Sequence, residues 1–404
     1  MKKNIFTPAN ILLPQGISME KWSVVACDQF SSERDYWERV GDIVGEEPST
    51  LKMIIPEAFL EELDEAEETK KISATMGEYL DSGLFYEVSD SFIYLERTQP
   101  DGRVRQGLVG AIDLDCYDFT GTASAVRASE GTVLDRLPPR ISIRRTARLE
   151  LPHIMTFIDD PGNTVLGQLA QKADSLQPVY DFNLMEGGGH IKAMRVAGGD
   201  AEAVMASINA LNDESGMLMV MGDGNHSLAA AKVYWEELKK TLSEDEAANH
   251  PASKALVELN NVYDGAIDFE AIHRVLFDVD PAKFVDDFTK AMQPGTDYII
   301  RWVSEGKKGE IGIGAQCIGD MLSAMQDFLD DYAKSENARI DYIHGEDSVM
   351  KLADCKNNVG LVLPAMVKSE FFETVAARGV FPKKSFSVGH AKDKRYYLEC
   401  RGIK

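Results

Sequence analysis

The sequence predicts a mixed α/β protein folded as two domains. Three observations carry this. The chain has 404 residues, more than one ordinary core accommodates. Hydrophobic residues make up 44%, ample for packed cores. Past Pro251, apolar strand-like runs alternate with helical stretches of ordinary α/β type. The expected division is an N-terminal α/β domain over 1–275 and a C-terminal α/β domain over 276–404.

The chain reads as extended through Pro14. Trp22 to Cys27 is an apolar run of strand type ending at Asp28-Gln29, and a polar helix follows over about 32–40. The stretch 57–71 is helix-prone and acidic, as a solvated helix face is. Phe92–Arg97 and Arg103–Leu114 read as two strands joined by the turn Gln99-Pro100-Asp101-Gly102, a hairpin signal. Residues 127–150 are arginine-rich, and Pro138-Pro139 forbids a continuous helix there. Tyr180 to Arg195 carries a glycine run between two strand-like pieces. Met217–Met221 is an apolar strand leading into Asp223, and 227–242 is a helix with Leu228, Ala231, Trp235, Leu238 and Leu242 on one face. Further on, strands are expected at 298–303, 340–343, 359–363 and 396–400, and helices at 281–292, 319–333 and 369–378.

The formal net charge is −23. So acidic a surface repels nucleic-acid backbones and anionic membranes, so neither is an expected partner. No apolar run approaches the roughly 20 residues that span a bilayer, and the N-terminus lacks the apolar segment of a secretion signal. Five dispersed cysteines, with no C-x-x-C pair, argue against a disulfide framework or structural zinc. A cytoplasmic protein is expected, of undetermined oligomeric state with a dimer compatible. One segment inverts the global sign: from Arg127 to Arg148 six arginines stand against two acids, a local cationic island in an acidic chain.

The chemistry is expected at Gly222-Asp223-Gly224-Asn225-His226-Ser227, where a strand turns tightly into a helix. A helix N-terminus presents unpaired N–H groups and partial positive charge, and so favours anions. Gly222 and Gly224 permit close backbone approach. Asp223 can orient a hydroxyl, hold a metal or act as a base, and His226 can contact phosphate or shuttle a proton. The plainer alternative is that Asp223 or Asn225 only caps the helix. Neither a Walker-type loop nor G-x-G-x-x-G occurs.

On these residues the chain resembles the uncharacterised family called domain of unknown function 1015, whose loop is similar to D-G-H-H-R. Further stretches resemble it: Val24 to Gln29, Arg127 to Thr132, Leu134 to Arg140, Gly187-Gly188-Gly189-His190, Asn249-His250-Pro251, Ile272-His273-Arg274-Val275 and Phe381 to Ser385. The D-G-x-H loop is also similar to the nucleotide-binding loop of the ParB/sulfiredoxin-like superfamily, which includes free-serine kinases. That similarity implies a nucleotide-binding core of that type. The chain departs from both patterns at Asn225 and Ser227, the latter standing where an arginine is usual.

The second family-like motif, Arg127, Glu130 and Thr132, places a carboxylate that could take a proton from an attacking hydroxyl while arginines, Arg136 and Arg140 among them, neutralise transition-state charge. Gly188, Gly189 and His190 could cradle a ligand through backbone N–H groups, or form a hairpin turn. His273 and Arg274 could contact ligand or serve the core. Lys383 and Lys384 could close over phosphate or form a solvated turn. Asp28, at an expected strand end, is a further candidate carboxylate, whereas Cys27 reads as a buried thiol. The histidines show no metal-ligand spacing. Mg²⁺ is expected only with a bound nucleotide, ATP or ADP, on Asp223 or Asp28. The leading expectation is a nucleotide-dependent phosphotransferase acting on a small hydroxy-amino acid, serine-kinase-like. The alternatives are a phosphatase of phosphoserine or a similar small phosphorylated metabolite, and a non-catalytic nucleotide-binding regulator.

Overall fold

The structure is a computed structural model and describes residues 4–30, 33–59, 62–121, 123–212 and 216–404. The chain divides into two compact units, each interrupted in sequence. The first takes the segments up to Arg127, Thr132–Ile267 and His390–Lys404; the second takes Ala128–Gly131 and Asp268–Gly389. The last segment therefore belongs with the N-terminal part of the chain.

The first unit is built on an eleven-stranded sheet. Its order runs Tyr117–Asp118, Val126–Arg127, Met219–Asp223, Met155–Ile158, Lys254–Asn261, Val104–Asp113, Phe85–Thr98, His190–Val196 and Gln177–Asn183, with Phe6–Thr7 and Ala9–Pro14 pairing off this path. The expected hairpin is its centre. Thr98 pairs with Val104, and Gly102, at φ 86, supplies the left-handed turn that a side chain would strain. The strand Met219–Asp223 lies between Val126–Arg127, in parallel, and Met155–Ile158, antiparallel. A register irregularity between Met221 and Asp223 marks where it leaves the sheet. The second unit holds a six-stranded sheet, Lys307–Ile313, Pro294–Ser304, Val359–Val362, Phe269–Phe277 and Arg339–His344 in order, with Phe386–Val388 off the path. Helices Pro281–Ala291, Ile318–Glu336 and Lys368–Arg378 accompany it.

Four local expectations are corrected. Trp22 to Cys27 is not a strand: Ser18 accepts the Lys21 N–H and starts a helical turn, Met19–Trp22, after which Val24 and Val25 are buried in non-strand backbone. The acidic helix begins later, at Glu65, because the Asp64 carboxylate accepts the N–H groups of Ala66 and Glu67 at 2.9 and 3.0 Å. Pro138 and Pro139 do not break a helix but open one, Leu137–Thr146, in the first turn, where a missing N–H costs nothing. Tyr396–Cys400 is extended without being a strand. Tyr397 and Cys400 make isolated bridges to Val24 and Leu12, and only Arg401–Gly402 pairs as a strand, with Leu149–Glu150. Among the described residues no helix is long and apolar enough to cross a membrane.

The C-terminal segment is anchored by buried polar groups. Trp22 Nε1 donates to the Leu398 carbonyl at 2.8 Å. Arg401 meets buried Glu150 at 2.6 Å, and Arg144 meets the same carboxylate at 2.7 Å. Arg401→Met removes one of the two cations on this carboxylate and leaves the other, and is therefore expected to lower stability by about 1.5–3 kcal/mol in urea unfolding. Arg145→Ala, which breaks an exposed pair with Glu237, should cost less than about 1 kcal/mol. Equal losses would show that the buried pair does not hold the segment.

Candidate functional site

The turn at 223–227 is shaped by what its glycines allow. A Cβ on Gly222 would come within 2.4 Å of the Phe157 ring. Gly224 sits at φ 81 against the Ile154 backbone and is the N-cap of the helix Asn225–Lys239. The N-cap position is therefore filled by a glycine, and not by Asp223 or Asn225. Asp223 Oδ1 instead accepts the N–H of Gly224 at 2.8 Å, and Oδ2 faces the ammonium of Lys394 at 3.2 Å. Asp223 remains half-buried, whereas Lys394 is buried. His226, in the first turn, accepts the Val133 N–H on Nε2 at 3.2 Å; in the neutral ring this leaves the proton on Nδ1. Asn225 and Ser227 flank it, both half-buried.

Lys394 was not singled out from the sequence, and its placement has an identifiable cause. Arg97 is fully buried and donates to the carbonyls of Lys392, Asp393, Lys394 and Gly188. Arg105, directly opposite Arg97 in the strand register, donates to the Asp393 carbonyl at 2.6 Å and pairs with Glu258 at 3.2 Å. Burial lowers the Arg97 guanidinium to about 10, so it stays charged near neutrality. Arg395 joins Glu399 at 2.8 Å, and Tyr180 donates to the other Glu399 oxygen at 2.6 Å. Arg97, Arg105, Glu258, Arg395 and Glu399 line a small cavity. The signal in the sequence was charge inside apolar strands, at Arg97, Arg105 and Glu258.

The other expected residues of this unit have defined surroundings. Arg127 is buried and donates to the Ser124 carbonyl at 3.0 Å. Arg144, Arg145 and Arg148 pair with Glu150, Glu237 and Asp81, so local pairing neutralises much of the cationic island. Arg136 is exposed and accepts a bond from Arg140 on its carbonyl. Thr132 Oγ1 is buried with no hydrogen-bond partner among the described residues. The Gly188 N–H donates to the Met185 carbonyl at 3.1 Å, and a Cβ there would overlap the Tyr396 hydroxyl. One on Gly189 would overlap the Thr98 carbonyl. His190 faces Asp181 at 2.7 Å. This glycine run is thus tightly packed within the unit. Burial pushes the Cys27 thiol up to about 12, against the pull of Lys394, the inert state expected of it. Asp28 opens the short helix Asp28–Phe30; its side chain lies outside the described residues.

Glu130, His273, Arg274, Lys383 and Lys384 gather in the second unit. Phe381 bridges to Glu130 in parallel, and the Ser385 N–H donates to Glu130 Oε1 at 3.3 Å. Burial pushes this carboxyl up to about 7, against the backbone N–H groups of residues 384–386 and the Lys384 charge. Lys384 occupies a left-handed turn at φ 58, and Lys383 is exposed. Arg274 is fully buried, bonded to Gln326 at 3.0 Å and set over the Tyr342 ring at 4.4 Å. Its Nη2 has no partner among the described residues. His273 accepts the Leu363 N–H at 3.1 Å and is held neutral, lowered by burial to about 4.

The fold defines a mixed α/β protein of two compact units. The chain belongs to the family described as "Protein of unknown function (DUF1015)", whose match spans residues 12–377. No curated protein matches the sequence. Solved structures similar to it include a conserved hypothetical protein from Pyrococcus furiosus, 12% identical with a TM-score of 0.35, covering 71% of this chain and 92% of that one. A free serine kinase in complex with AMP is 12% identical with a TM-score of 0.38, covering 71% and 90%. SbnI with C-terminal truncation from Staphylococcus aureus is 9% identical with a TM-score of 0.36, covering 70% and 82%.

Glu130 generates a pH prediction. A carboxyl raised from 4.5 to about 7 on folding binds its proton more tightly in the native state. The stability it contributes is fully present below pH 4.5 and is lost as pH rises through about 7. Between these limits the wild type should therefore lose stability relative to Glu130→Gln, and carbon NMR of the Glu130 carboxyl should show a midpoint near 7. A midpoint near 4.5 with parallel stability curves would contradict the burial of this charge.

Proposed function

We propose that the protein binds the phosphates of a nucleotide, ATP or ADP, at the Asp223–Ser227 turn and transfers a phosphoryl group to a small hydroxy-amino acid, free serine being the acceptor that the loop resemblance implies. The observation that carries this is the turn itself. A left-handed glycine at the N-cap opens a helix, with an anchored carboxylate before it and a histidine in its first turn. Such a start offers backbone N–H groups and the positive end of the helix to an anion.

In the reaction, the serine hydroxyl oxygen attacks the terminal phosphorus, an O–P bond forms, the bond to the nucleotide's bridging oxygen breaks, and the nucleotide leaves with one phosphate fewer. The hydroxyl proton passes to a carboxylate, for which Asp223 is the candidate. His226 and the turn's N–H groups would hold phosphate oxygens and so oppose the charge that develops in transfer. A divalent cation would enter with the nucleotide, on phosphate oxygens and waters with Asp223 as protein ligand; among the described residues no group of three or more histidines, cysteines or carboxylates could hold one alone.

Phosphorus NMR tests the reading. Phosphoserine should form only when serine and a nucleotide donor are both present. His226→Ala should lower the rate by about 10²–10⁴-fold while the melting temperature stays near that of wild type; Asp223→Asn should lower the rate by the same span and also the melting temperature, because it leaves the buried Lys394 ammonium without its carboxylate. Release of phosphate from phosphoserine without nucleotide would replace the kinase with a phosphatase. Tight nucleotide binding with neither reaction would leave a regulatory module.

A further inference from the structure

Lys394 enters the site from a segment that the loop resemblance does not include, and its setting is unusual. A lysine side chain normally keeps its ammonium in water, yet Lys394 is buried, with Nζ beside Asp223 Oδ2 at 3.2 Å. Its main chain is not free to move away. The Lys394 carbonyl and its two preceding neighbours accept from the buried Arg97 guanidinium, the Asp393 carbonyl accepts from Arg105 as well, and the Lys394 N–H donates to Ala391 at 3.4 Å. Arg97 makes these bonds at the cost of lying opposite a second arginine in the sheet, an arrangement that is destabilising by itself. Glu258 offsets it on the Arg105 side. It can do so because position 107 is glycine: a Cβ there would come within 2.6 Å of Glu258 Oε1. The consequence of this buried arrangement is a fixed cation beside the carboxylate of the turn.

We propose that Lys394 is a ligand-contacting residue of the phosphate site: its ammonium bridges Asp223 and a terminal phosphate oxygen of the bound nucleotide, and Arg97 is the positioning residue that holds it there. The inference rests on reading the turn as a phosphate site. An ammonium carries three donors, and Asp223 occupies one direction; a lysine acting as a point charge toward phosphate needs no planar bidentate geometry. With the aspartate neutralised by Lys394, the approach of a polyanion to the helix start no longer meets an uncompensated negative charge.

Calorimetry with two probes, ADP and adenosine, tests it on wild type, Lys394→Met, Lys394→Arg and Lys392→Met. The quantity read is the preference for ADP over adenosine, which isolates the phosphates from everything else the site contacts. That preference should fall by at least about tenfold in Lys394→Met, recover in part in Lys394→Arg, and stay unchanged in Lys392→Met, whose exposed side chain lies two residues away. An unchanged preference in Lys394→Met overturns the inference, even if both affinities drop together, because a purely structural role would weaken the two probes alike. If wild type binds neither probe, the reading of the turn itself fails, and the inference with it.

Discussion

The architecture of the first unit turns on one buried guanidinium. Arg97 lies in a central strand of the eleven-stranded sheet, where a charge carries a heavy desolvation cost, and it bonds to the carbonyls of three consecutive residues of the C-terminal segment as well as to Gly188. Peptide carbonyls in a non-strand segment have no ladder to satisfy them, and a buried one without a donor is costly. Each partner thus supplies what the other lacks. Around this centre Arg105 and Glu258, Arg395 and Glu399, and Arg401 and Glu150 continue the same exchange along the segment. The result is a chain end that behaves as part of a core, with Tyr396, Leu398, Cys400 and Ile403 all buried.

This dependence joins fold to site. Asp223 and His226 are placed by a strand that leaves its sheet and a glycine that turns it into a helix, both local to a few residues. Lys394 is placed by contacts that run almost three hundred residues back along the sequence, to Arg97. The carboxylate is therefore set by short-range geometry and its counter-charge by long-range packing. Disturbing the segment would leave the turn intact while removing the cation beside it.

The difference also explains what could be read from sequence. Periodicity gave the helix after His226 and the helices of the second unit, and a Pro-Asp-Gly turn marked the central hairpin, because these signals are contained in a few neighbouring residues. The turn at Asp223 was legible for the same reason. Trp22 to Cys27 misled because burial, not strand pairing, makes it apolar, and the Ser18 cap that starts the helical turn is a single residue. Tyr396 to Cys400 misled likewise: it is apolar and extended, yet only isolated bridges tie it to neighbours. The arginine island stood out by composition, but composition does not reveal that Arg145 and Arg148 meet acids from distant segments. Glu130 was readable as a carboxylate in a motif; its displacement toward neutrality depends on a turn some 250 residues later.

The most direct measurement is native-state hydrogen exchange of the last segment. The amides of Tyr397, Cys400 and Ile403 donate to the carbonyls of Val24, Leu12 and Arg148. If Arg97 fixes this segment as part of the core, these amides exchange only through the largest openings of the unit, as slowly as those of the strand Lys254–Asn261. In Arg97→Met their protection should fall further than that of the strand. Exchange in wild type as fast as a frayed chain end, or protection in Arg97→Met that falls no more than the strand's, would contradict the account.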